Sequence, residues 1–118
     1  MVAEEFQTFQ TVGRRKTSVA RVLLRPGEGE WTINGRPMAE YFPRKAHQIR
    51  VEEPLQVTEL GGRFDIQIRV NGGGLTGQAD AIRMGVSRAL VAFDEEQRPV
   101  LRSKGLLTRD PRKVERKK

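Results

Sequence analysis

Gly72-Gly73-Gly74-Leu75-Thr76-Gly77 stands between an alternating apolar segment and a helical pattern. Glycine loops that hold phosphates occupy that position. The stretch formally matches the Gly-x-Gly-x-x-Gly dinucleotide fingerprint. That fingerprint also needs a second parallel strand after the helix, with an acid for the ribose. Here the helix runs into Asp94-Glu95-Glu96-Gln97, with no apolar strand following. A nucleotide-hydrolysing loop needs Lys and then Ser or Thr after the last glycine, and Gln78-Ala79 stand there instead. Both nucleotide readings therefore fail. What survives is a general anion cradle: a backbone without side chains, leading into a helix start with free N–H groups and partial positive charge. An RNA phosphate suits it. A plain strand-to-helix connector would use the same residues, and spacing alone does not separate the two.

A second candidate is Arg14-Arg15-Lys16, followed by Thr17-Ser18. Arginine grips phosphate oxygens bidentately, and lysine acts as a point charge. The plainer alternative is an edge strand protected by charge. Arg83 and Arg88 fall off the apolar stripe of the helix after the glycines, and Gln78 falls in its first turn. No catalytic constellation is visible. His47, the one histidine, has no Ser or Cys nucleophile partnered to it in sequence. Glu52-Glu53 and Asp94-Glu95-Glu96 read as solvated helix ends. Without cysteine there are no disulfides or thiolate ligands, and one histidine cannot supply a zinc site, so no metal site is expected; no cofactor is expected either. Phe64, Phe93 and Trp31 read as core or strand positions, and Tyr41-Phe42 as closing the core. Base stacking should be limited, and contact should go to the phosphate–sugar backbone and to RNA shape.

The elements that must carry these groups follow from periodicity. Residues 1–12 read as an extended lead-in. Residues 17–25 are rich in β-branched side chains and stop at Pro26-Gly27, a strand and a turn. Residues 30–33 read as a second strand, hairpin-paired with the first and ended by Asn34-Gly35. Pro37 to Phe42 suggests a helical turn. Residues 44–59 suggest two short helical pieces, because Pro54 interrupts the pattern. Phe64, Ile66, Ile68 and Val70 alternate with Asp65, Gln67, Arg69 and Asn71, which marks a half-buried strand. Ile82, Val86, Ala89, Leu90 and Phe93 predict an amphipathic helix over 75–93. Asp94 would cap a further helix toward Lys104, limited by Pro99 and Gly105. The fold class is α/β, an α+β two-layer sandwich of about four strands with helices on one face. The globular domain is expected over 1–105 and an extended basic tail over 106–118.

The chain has 118 residues, of which 36% are hydrophobic and 31% charged, enough for one modest core. The net charge of +7 is unevenly spread: +3 over residues 1–27, −2 over 28–65, +2 over 66–108 and +4 over 109–118. Positive ends around a slightly acidic middle imply a polyanionic partner. From charge alone that partner is nucleic acid or an anionic membrane surface. No apolar run approaches a membrane span, and the first residues lack the basic and apolar regions of a signal peptide. A cytoplasmic protein is expected.

Gly13-Arg14-Arg15-Lys16-Thr17-Ser18-Val19-Ala20-Arg21, Ile33-Asn34-Gly35-Arg36, Tyr41-Phe42, Gly72 through Leu90, and Leu107 through Lys118 together form a pattern. In that order it resembles the small-subunit ribosomal protein nine family, bacterial type, over about residues 11–118. The resemblance implies a sandwich with a left-handed βαβ crossover, where general rules favour the right-handed one. It implies a structural, non-enzymatic constituent of the small ribosomal subunit, bound to ribosomal RNA in the subunit head beside neighbouring ribosomal proteins. It also implies a tail directed toward the peptidyl-site transfer RNA. Family members usually continue past this point with more Lys and Arg, so the end of the tail is expected to be absent here. No membrane role is expected. Carried onto this chain, the RNA-contact candidates in the body are Arg14, Arg15, Lys16, Thr17, Arg21, Arg44, Lys45, Gly73, Gly74, Gln78, Arg83 and Arg88. Those in the tail are Arg109, Arg112, Lys113, Arg116, Lys117 and Lys118.

Overall fold

Side-chain alternation builds the sheet. In the computed structural model, which describes residues 8–15 and 17–107, β1 is Phe9–Arg15, β2 Ser18–Pro26, β3 Trp31–Ile33, β4 Arg36–Pro37 and β5 Phe64–Asn71. The helices are α1 Met38–Tyr41, α2 Lys45–Thr58, α3 Leu75–Phe93 and α4 Arg98–Ser103, with a 3₁₀ turn at Glu95–Gln97. The strand order is β1-β2-β5-β3-β4. On β2, Ser18, Ala20, Val22 and Leu24 are buried, as are Phe64, Ile66, Ile68 and Val70 on β5. These side chains meet the helices. The intervening residues, Arg21, Arg25, Gln67 and Arg69 among them, lie on the open face.

The mixed α/β class and the one-sided helical layer are as expected, with five strands rather than about four. Beyond the three strands placed from the sequence, the sheet gains β1, formed where a lead-in was expected, and the two-residue β4. The expected β2–β3 hairpin does not form. β2 pairs antiparallel with β1 and β5, and β3 pairs parallel to β5. The physical reason is ladder length: β5 has eight residues of alternating pattern to offer β2, and β3 has three. The Asn34-Gly35 turn closes β3 onto β4 instead, with φ of 52° and 83° as a tight primed turn requires.

The β2–β3 loop is held by Asp65, whose carboxylate accepts N–H bonds from Glu28 (3.0 Å), Gly29 (3.3 Å) and Glu30 (3.1 Å). The Glu30 and Glu28 N–H groups, helped by Gly29 and the Arg25 charge, hold the Asp65 carboxyl below its ordinary pKa.

The segment around Pro54 forms one continuous helix, not two pieces. The proline removes one backbone bond, but it is buried against the core, and the Thr58 hydroxyl donates to the Pro54 carbonyl at 2.8 Å. α3 matches its expected span and lies on β1 and β2 at a close approach. A Cβ on Gly13 would sit 2.0 Å from the Ala81 carbonyl oxygen, and one on Gly85 would sit 2.7 Å from Val22 Cγ2. The Thr11 hydroxyl donates to the Gly85 carbonyl at 2.7 Å. Asp94 caps the 3₁₀ turn through the Glu96 N–H at 3.1 Å, and α4 follows. Leu106, expected to begin the tail, is buried in the core.

Candidate nucleic-acid interface

The topology brings the two basic-site candidates together. β5 ends beside the β1–β2 turn, so the glycines that follow it pack on Thr17 and Ser18. Gly72 and Gly73 have φ of 84° and 62°. A Cβ on Gly72 would sit 2.1 Å from the Thr17 carbonyl oxygen, and one on Gly73 would sit 2.5 Å from Ser18 Oγ. Ser18 Oγ donates to the Gly72 carbonyl at 2.9 Å. Gly74 has open space where a Cβ would stand; it is the extended N-cap of α3 and supplies no side-chain cap. The first turn of α3 thus presents its N–H groups at the same end of the sheet as Arg14, Arg15 and Thr17, all exposed. His47 Nε2 lies 3.1 Å from Thr76 Oγ1, which sets the first turn of α2, carrying Lys45 after its N-cap Arg44, beside the first turn of α3. Arg44 and Lys45 are exposed.

Other candidates are placed differently. Gln78 is 8% exposed. Its Nε2 donates to the Gly72 carbonyl at 3.0 Å, and its Oε1 accepts from the Tyr41 hydroxyl at 2.6 Å. Both ends of the amide are spent inside the protein, fixing the glycine loop. Asn34 continues this network. Its side chain exchanges two bonds of 2.9 Å with the Val70 backbone and donates to the Tyr41 hydroxyl at 3.3 Å.

Arg83 pairs with Glu53 at 3.0 Å and lies 3.9 Å from Asp80. Asp80 also meets Arg50 at 2.8 Å and Arg15 at 3.7 Å, tying β1, α2 and α3 together. Arg88 is exposed and donates to the Val12 carbonyl at 3.1 Å, clamping α3 to β1. Arg21 lies on the open sheet face, away from the glycine loop by position in the register. Lys16, Arg109, Arg112, Lys113, Arg116, Lys117 and Lys118 lie outside the described residues.

Two basic residues were missed. Arg50 is a hub of the ion-pair network, and no sequence signal separates it from other helix-surface charges. Arg69 sits directly opposite Arg21. The alternation of β5 assigned it to the polar face, but the facing partner depends on a strand pairing not visible in sequence.

Among the described residues, no group of three or more His, Cys, Asp or Glu could hold a metal ion, and no helix is long and apolar enough to cross a membrane. No strand follows α3 among them, so the dinucleotide arrangement is not built. The glycine loop, the uncapped helix start and the surrounding arginines define a small α/β module with a surface suited to a polyanion.

A family model described as "Ribosomal protein S9/S16" matches residues 13–118. The chain is 50% identical over 112 residues to the small ribosomal subunit protein uS9 of Gemmatimonas aurantiaca, covering 95% of this chain and 87% of the relative. It is 55% identical over 113 residues to the uS9 protein of Thermotoga petrophila, covering 93% and 84%. For the uS9 protein of Chlorobium limicola the identity is 52% over 112 residues, covering 95% and 87%. The chain belongs to the ribosomal protein S9/S16 family, a family of structural proteins and not of enzymes.

Proposed function

We propose that this chain is a structural constituent of the small ribosomal subunit that binds ribosomal RNA by phosphate and shape contacts. Half-identity to uS9 proteins over nearly the whole chain carries this reading. The convergence of Arg14, Arg15, Thr17, Arg44 and Lys45 on the glycine loop and the α3 start supplies its chemistry. Gly74, open where a Cβ would stand and next to Gly73, lets a phosphate approach the backbone N–H groups, and the arginines neutralise its charge. Among the described residues exposed aromatic surface is scarce, so the backbone and shape of RNA, not stacked bases, dominate recognition.

The protein would work in the cytoplasm, in the head of the subunit beside other ribosomal proteins. The basic stretch Arg109–Lys118 would contact RNA and be directed toward the peptidyl-site transfer RNA. Arg83 and Arg88 would reach RNA only while keeping their contacts to Glu53 and Val12, so they contribute less than Arg14 and Arg15. No cofactor or membrane enters this function.

Counterion release sets the test. The affinity for small-subunit ribosomal RNA should fall with salt on a log–log slope of roughly 4–8. Replacing Arg14, Arg15 and Lys16 together by Ala should lower that slope by about two to three. Deleting residues 109–118 should lower it further, with little change in melting temperature. A flat response of the unaltered chain would sink the reading.

A further inference from the structure

We propose that the open face of the sheet carries a second phosphate site for ribosomal RNA, centred on Arg21 and Arg69. It rests on the RNA reading above and joins Arg69, which the sequence pattern did not single out, to the candidate Arg21 across the strand pairing. The antiparallel register of β2 and β5 sets Arg21 directly opposite Arg69, on the face away from the helices, and both are exposed. Facing residues in such a pair hold their Cβ atoms about 4.5–5.5 Å apart, and like charges so placed repel. Among the described residues no carboxylate forms an ion pair with either one. The acid on the same face of β5 is Asp65, and its carboxylate is committed to the β2–β3 loop and lies opposite Arg25. Two uncompensated guanidiniums at mid-sheet are a repulsion that a bound anion removes.

The surroundings select the anion. A groove here has Gln10, Arg21, Leu23, Thr32, Gln67 and Arg69 among its lining residues. It offers guanidinium, amide and hydroxyl groups beside Leu23, Val22 and Ile68, and no aromatic ring. That suits a phosphate–sugar backbone and offers nothing on which a base could stack. An extended peptide is less well served, because β2 and β5 are interior strands paired on both sides and present no free edge. The same face of the sheet extends toward the first site. Arg14 faces Val19, and Val19 faces Asn71, one row from Arg21 and Arg69. Asn71 immediately precedes the glycine loop, so one RNA strand can pass from the α3 start across Asn71 to the arginine pair.

The chain contains no cysteine, so Gln67→Cys places a unique thiol on this face. A photo-crosslinker attached there is activated in small subunits purified from cells that express the full chain. The adduct should form on RNA and fall several-fold when Arg21→Gln and Arg69→Gln are added. An adduct on protein would assign the face to a neighbouring protein, and no adduct would leave it facing solvent. Either result overturns the proposal.

A second readout is the salt slope for ribosomal RNA. The double glutamine variant should lower it by about one if the arginines share a phosphate, or about two if each holds its own. Its melting temperature should stay level or rise, because the facing charges are gone. A lowered melting temperature would make the pair structural and overturn the proposal. An unchanged slope beside a steep slope for the unaltered chain overturns the second site alone. A flat slope for the unaltered chain removes the RNA reading with it.

Discussion

Gln78→Ala separates a residue that touches RNA from one that shapes the surface RNA meets. The structure puts the Gln78 amide between the Gly72 carbonyl and the Tyr41 hydroxyl, at 3.0 and 2.6 Å, with 8% of the residue exposed. The substitution removes two hydrogen bonds, each contributing about 1 kcal/mol net, and a buried CH₂ contributing about 0.8 kcal/mol. The Gly72 carbonyl keeps its bond from Ser18 Oγ, so it is not orphaned. The half-buried Tyr41 hydroxyl loses its acceptor. The expected loss of folding stability is about 3 kcal/mol, a fall in melting temperature on the order of 10–15 °C for a domain of this size. Urea denaturation of the free chain measures the first number and thermal denaturation the second. The salt slope of RNA binding, measured where both proteins are folded, should not change, because no phosphate contact is lost. Unchanged stability with a slope lowered by about one would refute the reasoning and make Gln78 a direct RNA ligand.

Other substitutions test the supports of the same surface. Gly13→Ala drives a Cβ to 2.0 Å from the Ala81 carbonyl and should cost about 3 kcal/mol in denaturant titration, because α3 must lift off β1. Asp65 has a lowered pKa in the folded state, so its contribution is full above the unfolded carboxyl value of about 4 and is lost as pH falls through the folded value. Asp65→Asn should therefore be the less stable protein at neutral pH, by about 1 kcal/mol, and the gap should close in acid unfolding titrations. Asp80→Ala leaves Arg15, Arg50 and Arg83 without their shared carboxylate. It should destabilise by about 1–3 kcal/mol, and added salt should recover part of that loss in thermal melts.

Local pattern was legible in sequence, and pairing was not. The alternation of Phe64 to Val70 and the spacing of Ile82, Val86 and Leu90 each reflect one element meeting one core, and both elements formed as expected. The β2–β3 hairpin failed because adjacency in the chain does not fix adjacency in the sheet, and the longer β5 competed for the same edge of β2. Pro54 misled because its cost is local, whereas the burial that outweighs it comes from the rest of the core. At the site, the glycine loop and Arg14-Arg15 were visible as residue types. That they share one end of the sheet follows from the β2–β5 register. Gln78 looked like a ligand in the first turn of a helix, and its direction became clear only once Tyr41 and Gly72 were placed around it. Arg69 and Arg50 carry no distinguishing neighbours in sequence, since their partners come from other elements.

Sucrose-gradient sedimentation of a lysate expressing the tagged full chain, washed at moderate salt, tests the central claim most directly. The account predicts that the tag travels with the small ribosomal subunit and survives the wash. A chain that is folded by circular dichroism yet stays at the top of the gradient would contradict it.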